Sequence, residues 1–121
     1  MQPETLKISS PMILLLRSRN WKTYKTHGSQ YQAGFPDHYI IHPIYAPRWV
    51  EFKIKDISGN VHLTPAQKIV FPEFLANNVP LYIIADYDLR GNRSRLEFHY
   101  SKLLQEPNGF YALTKKGMQL L

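Results

Sequence analysis

Three charged side chains in the middle of the chain have types and spacing suited to chemistry: Asp37, Glu51 and Lys53. Glu51 and Lys53 belong to Trp49-Val50-Glu51-Phe52-Lys53-Ile54-Lys55, where Val50, Phe52 and Ile54 alternate with the charged residues. Alternation at period two describes a half-buried strand that carries its charges on one face. Carboxylates brought together raise one another's pKa unless something positive sits between them. Oxygen ligands from one or two carboxylates, a backbone carbonyl and waters suit magnesium or manganese better than zinc. Such an ion, with Lys53 beside it, lowers the pKa of a bound water and stabilises charge on an attacked phosphate, which favours phosphodiester hydrolysis.

The neighbouring elements must bring these residues together. The prolines of Pro43-Ile44-Tyr45-Ala46-Pro47 have no N–H to donate, so Tyr39-Ile40-Ile41-His42 is expected to pair antiparallel with the Glu51 strand across that turn. A symmetric turn centred near Tyr45 sets Asp37 opposite Lys53 and one diagonal step from Glu51, on the same face. His38 and His42 lack the cysteine or histidine partners of a zinc site and are read as structural, with His38 a candidate rim contact. After turn residues at Ser58-Gly59-Asn60, Thr64 is expected to cap a helix that starts at Pro65 and runs to about Asn77. Gln67 lies in its first turn, and Pro72 kinks or divides it. The apolar run 79–85 reads as a buried strand, parallel to its neighbour because a helix separates the two.

Gly34-Phe35-Pro36-Asp37, then Glu51-x-Lys53 on a strand, then Leu63-Thr64-Pro65-Ala66-Gln67, resembles the PD-(D/E)xK nuclease superfamily. Within it the match is most like the small VRR-NUC nucleases, relatives of the Holliday-junction resolvases, and it covers residues 24–85. The resemblance implies an α/β (α+β mixed) fold with a restriction-endonuclease-like core, a central mixed four-stranded sheet flanked by helices. It implies magnesium or manganese held by Asp37, Glu51 and the carbonyl of Phe52, with Lys53 positioning or activating the water. Gln67 matches the family's helix glutamine near the metal. Many members carry another acid on the first helix. The only acid upstream of Asp37 is Glu4, which Pro11 separates from the helix candidate, so the number of metals stays open.

At 121 residues the chain is expected to form a single domain over 1–121. Without cysteine it can build neither a disulfide framework nor a thiolate metal site. The apolar run Met12-Ile13-Leu14-Leu15-Leu16 is too short for a membrane span, and the expected location is the cytoplasm, bacterial or phage-infected. A formal charge of +6 and a pI near 9.6 favour polyanionic partners. Candidate nucleic-acid contacts are Lys22, Lys25, Arg48, Lys55, Arg90, Arg93 and Arg95. His27, Gln30 and Tyr31 precede the metal residues in sequence and are read as ordinary surface residues, with contact to substrate as the alternative.

Residues 1–10 read as loose, with Ser10 capping a helix from Pro11 to about Arg19 and a first strand following within 22–32. Asp86 and Asp88 fit turn acids better than a second metal site. Arg90-Gly91-Asn92-Arg93-Ser94-Arg95 fits a nucleic-acid grip or a plain connection equally. Leu96-Glu97-Phe98-His99-Tyr100 alternates like a strand, Phe110-Tyr111-Ala112-Leu113 reads as another, and Thr114 is expected to cap a last helical turn.

The leading expectation is a metal-dependent DNA endonuclease or nickase with little sequence specificity, selective for junctions, flaps or forks. The resemblance adds a homodimer and a phage or mobile element as its setting. The alternative is a non-catalytic nucleic-acid-binding module that keeps the nuclease fold. A third reading is a structural subunit whose basic surface meets an acidic protein.

Overall fold

The computed structural model describes residues 2–26, 33–105, 111–114 and 117–120. Four strands, β1 (Lys22–Lys25), β2 (His38–Ile41), β3 (Arg48–Ile54) and β4 (Leu81–Asp86), form one mixed sheet in chain order. The β1–β2 and β2–β3 pairs are antiparallel, whereas β3 and β4 are parallel and connect through α2 (Pro65–Ala76). Helices α1 (Ser10–Ser18) and α3 (Arg93–Leu103) complete a mixed α/β arrangement. A second, two-stranded antiparallel sheet, β5 (Tyr111–Thr114) with β6 (Gly117–Leu120), adjoins α2 and β4.

Strand alternation divides the core in two. Val50 and Phe52 of β3, with Ile40, Tyr82 and Ile84, pack under Ile8, Met12 and Leu16 of the N-terminal helix and Leu103 of α3. On the other face Leu81 and Ile83 meet Phe71 of α2, with Trp49, Phe74 and Leu75 around them. Both faces of β4 are therefore covered, which is why its sequence is a continuous apolar run. Burying a large apolar side chain of this kind stabilises the fold by about 1.5–3 kcal/mol.

Helix α2 begins as its sequence promises. Thr64 Oγ1 accepts the Gln67 N–H at 3.1 Å while Gln67 Oε1 accepts the Thr64 N–H at 3.0 Å, a reciprocal capping box with Pro65 in the first turn. Pro72 lies inside the helix without ending it.

Three expected elements are different. The stretch expected to be loose is not so over 3–10: a π-helical turn, Thr5–Ser9, runs directly into α1, so Ser10 continues a helical chain and does not cap its start. Pro11 is accommodated because the Lys7 carbonyl, which its missing N–H leaves free, accepts the N–H of Leu89 at 2.7 Å. Residues 96–100 are helical rather than extended. Asn92 Oδ1 caps α3 by accepting the Arg95 N–H at 3.2 Å, and the buried positions His99 and Leu103, with Leu96 packed beside them, follow helical spacing. Thr114 ends β5 instead of capping a helix, and 117–120 form β6. His27, Gln30, Tyr31 and Phe110 lie outside the described residues. Among the described residues, no helix is long and apolar enough to cross a membrane.

Candidate metal centre

The site is built on the α2-facing side of β3. Val50 and Phe52 point into the α1-side core, so the pleat sends Glu51 and Lys53 the opposite way. The Glu51 side chain is 2% exposed and that of Lys53 11%, and Lys53 Nζ lies 3.7 Å from Glu51 Oε2.

Asp37 enters from the loop before β2. The hairpin register pairs His38 with Val50 and Tyr39 with Trp49, which aligns Asp37 with Glu51 and not, as a turn centred near Tyr45 implied, with Lys53. The shift is by two residues, so the face is unchanged. The Asp37 N–H donates to Glu51 Oε1 at 3.0 Å. Thr26 clamps the backbone on the other side: its N–H donates to the Asp37 carbonyl at 2.8 Å, and its hydroxyl reaches the carbonyls of Pro36 and Asp37.

The glycine of Gly-Phe-Pro-Asp has a physical reason to be there. Gly34 has φ +83°, and a Cβ on it would stand 2.6 Å from the Ala66 carbonyl oxygen at the start of α2. Phe35 then packs edge-on against Trp49 and Phe74, pinning the loop between β3 and α2.

A third carboxylate completes the group. One ligand atom each from Glu4, Asp37 and Glu51 lies within 4.8 Å of the others. Glu4 precedes the π-helical turn, which packs against β3, so Pro11 does not cut it off from the site. The sequence carried a signal for this. Ile8, Met12 and Leu16 form a buried stripe at four-residue intervals, and one step back along it is Glu4.

Electrostatics single out Glu51. Burial, then the adjacent charge of Asp37, push its carboxyl up to about 8 despite the opposing pull of Lys53. Burial raises Glu4 too; Lys53 opposes that and Asp37 adds to it. Three carboxyls this close, one of them deeply buried, retain a proton at neutral pH unless a cation takes its place. An all-oxygen donor set of this kind fits a hard divalent ion.

Gln67 is buried, but its amide oxygen is committed to the Thr64 N–H, so its observed work is to hold the start of α2. Phe52 places its side chain in the α1-side core.

Of the candidate nucleic-acid contacts, Arg48 is a correction. It is 3% exposed, and its guanidinium donates to the carbonyls of Ala46, Leu103 and Gln105 and to the Tyr82 hydroxyl. It ties the end of α3 to β3 by satisfying carbonyls that a helix terminus leaves open. Arg90 pairs with Asp88 at 2.9 Å, Arg93 with Glu97 at 3.3 Å, and Arg95 with Asp86 at 2.9 Å. The charges of that loop are thus compensated inside the protein. Lys55 lies 5.9 Å from the Tyr87 ring centre. Lys22 and Lys25 are exposed on β1 and make no ion pair among the described residues.

Asp86 and Asp88 do not form a second metal cluster among the described residues. Burial acts to raise Asp86, but hydrogen bonds from His99, the Tyr87 N–H and Arg95 outweigh it and hold the carboxyl low.

Compared with known proteins, the chain matches no family model, no curated protein and no solved structure.

Proposed function

We propose that this chain is a divalent-metal-dependent DNA endonuclease of the PD-(D/E)xK type with a restriction-endonuclease-like core. The observation that carries the reading is the convergence of Glu4, Asp37 and Glu51 within 4.8 Å, with Lys53 Nζ 3.7 Å from Glu51. Glu4, Asp37 and Glu51 hold the ion, and the Phe52 carbonyl joins them on the strength of the sequence resemblance. A bound divalent ion supplies a water of lowered pKa and Lewis-acid polarisation of a phosphate oxygen. The protein's own part is electrostatic and positional. Lys53 presents ammonium donors beside the carboxylates, where they orient a water and offset charge on an attacked phosphate. The Asp37 N–H and the Thr26 clamp fix the carboxylates in place. Gln67 supports the site by fixing the start of α2.

The same reading takes the substrate as DNA recognised through its backbone, with preference for junctions, flaps or forks, since so short a chain has little surface to spare for reading bases. The non-catalytic alternative drew its force from a missing acid on the first helix. Glu4 brings a third carboxylate to Asp37 and Glu51, which favours the catalytic reading over that alternative.

The test is cleavage of labelled single strand, duplex, flap, fork and four-way junction, with magnesium or manganese and with a chelator, by wild type and Glu51→Ala. Metal-dependent cutting that the variant lacks is the expected result. No cutting of any substrate, or equal cutting by both proteins, overturns the reading.

A further inference from the structure

Beside the carboxylates lies a second feature with different chemistry. The N-terminal helix leaves a cavity of about 340 Å³ against β1 and β2, and Thr5, Ser9, Ser10, Arg17, Lys25 and His38 line it. Ile13 and Leu14 supply an apolar wall, Leu14 being 71% exposed. Among the described residues, no acid contributes to the lining.

Its two cations lack acidic partners among the described residues. Arg17 spends one donor, Nε, on the Thr23 hydroxyl at 3.0 Å, and Lys25 is exposed in no ion pair. The lining also includes a buried residue with an unmet polar atom. His38 is 8% exposed, and its Nδ1 is the buried side-chain polar atom that lacks a hydrogen-bond partner among the described residues. Buried polar atoms are rarely left so, which marks His38 as a residue with an unmet polar demand beside the groove. The Thr5 and Ser10 hydroxyls, a guanidinium, an ammonium and an imidazole around one concavity form a donor set for a tetrahedral oxyanion, the Ser9 hydroxyl being spent on the Thr5 carbonyl.

The position of the groove sharpens this. Thr5 is the chain neighbour of Glu4 and His38 that of Asp37, so two lining residues are one step along the chain from two of the three carboxylates, and the charge of Asp37 reaches the His38 ring. We infer that this groove is a phosphoryl subsite for a DNA strand whose adjoining phosphodiester lies at the carboxylate centre, with Ile13 and Leu14 contacting sugar or base. Its role in cleavage rests on the nuclease reading, but its affinity for phosphate does not. The phosphoryl group belongs either to the interior of a strand or to a 5′ end.

The experiment is fluorescence anisotropy with the full chain, in chelator so that no cutting occurs. The probes are short labelled DNA single strands bearing a 5′-phosphate or a 5′-hydroxyl. The double variant Arg17→Gln/Lys25→Gln is expected to bind about tenfold or more weakly, with the slope of log affinity against log salt reduced by about 0.7 for each phosphate that is no longer neutralised. Ser10→Asp, which adds a carboxylate to the lining, should weaken binding comparably. Arg90→Gln/Arg93→Gln, on the compensated loop, should change affinity less than about twofold. Preference for the 5′-phosphate assigns the subsite to a strand end; equal affinity for both probes, with the variants still impaired, assigns it to an internal phosphate. Wild-type affinity in Arg17→Gln/Lys25→Gln, with circular dichroism showing it folded, overturns the inference. So does equal weakening by the loop variant. Cutting together with unimpaired variants removes the subsite alone, whereas groove-dependent binding without cutting removes the nuclease reading alone.

Discussion

Glu51 and Asp86 sit on adjacent parallel strands, both almost wholly buried, yet the protein treats them in opposite ways. Asp86 is completed from within: His99 Nε2 and Arg95 Nε each lie 2.9 Å from Oδ2, and the Tyr87 N–H donates to Oδ1 at 2.8 Å. Glu51 receives the Asp37 N–H and a Lys53 ammonium 3.7 Å away, but it also faces other carboxyls and is pushed up to about 8. A carboxylate that the fold satisfies is structural. One that the fold buries and leaves short of positive charge is the kind on which the proposed metal centre rests, and burial alone does not tell the two apart.

The sharpest way to break this contrast is activity. Glu51→Ala should lose cleavage by about a thousandfold or more, the scale of removing groups that stabilise transition-state charge. Asp86→Asn should cut within about threefold of wild type per folded molecule. Lys53→Ala should cut about a hundredfold more slowly while still binding metal, measured by calorimetry. A silent Glu51→Ala, or a dead but folded Asp86→Asn, would reverse the assignment.

Stability should respond with opposite signs. Asp86→Ala removes the carboxylate that Arg95 and His99 both donate to and should cost about 2–3 kcal/mol in urea unfolding, below the range for breaking a fully buried pair because Arg95 is partly exposed. Glu51→Gln removes a strained carboxyl and should stabilise the metal-free protein at pH 8 by about 1–3 kcal/mol.

The pH dependence has a worked sign. The folded-state pKa of Glu51 lies above its ordinary value, so the folded protein holds the extra proton and is penalised as pH rises. Metal-free stability should therefore fall between about 4.5 and 8. Magnesium should flatten that fall and raise the melting temperature in a concentration-dependent way. Asp86 is depressed, so what it contributes is present above about 4 and is lost only in acid. A metal-free melting temperature that does not move between pH 5 and 8 would contradict the account of Glu51.

The smallest effect comes from trimming one donor. Arg95→Gln leaves His99 and the Tyr87 N–H on Asp86, and its own side chain is 40% exposed, so a loss of about 1 kcal/mol or less is expected. A larger loss in equilibrium unfolding would mean that Asp86 depends on its ion pair more than on its neutral donors.

Much of the frame is legible because it rests on local rules. Period-two alternation places Glu51 and Lys53 on one face, Thr64-Pro65-x-Gln67 announces a capping box, and the apolar run before Asp86 announces a strand covered on both sides. What escapes depends on partners far away in sequence. Leu96, Phe98 and Tyr100 alternate like a strand, yet Asn92 caps a helix there whose burial at His99 and Leu103 a short window does not reveal. Arg48 resembles any surface cation until the end of α3 delivers carbonyls to it. A symmetric turn misses the hairpin register by two residues, an error that leaves the face correct and the partner wrong. Glu4 escapes because Pro11 reads as a beginning, when a carbonyl borrowed by Leu89 lets the helix pass through it.

The π-helical turn between Glu4 and α1 makes residue count a property under constraint. Each helical residue advances the chain by about 100° and 1.5 Å. Removing one residue from Thr5–Ser9 would let the segment relax to ordinary helical pitch, and everything before the deletion would change phase by about that angle. Glu4 would swing off the bearing that leads to Asp37 and Glu51, while Ile8, Met12 and Leu16 could stay seated by choice of which residue is removed. Apart from Ile8, which is core, this stretch should therefore hold its fold through exchanges of side chain better than through changes of length, because what it transmits to the carboxylates is an angle.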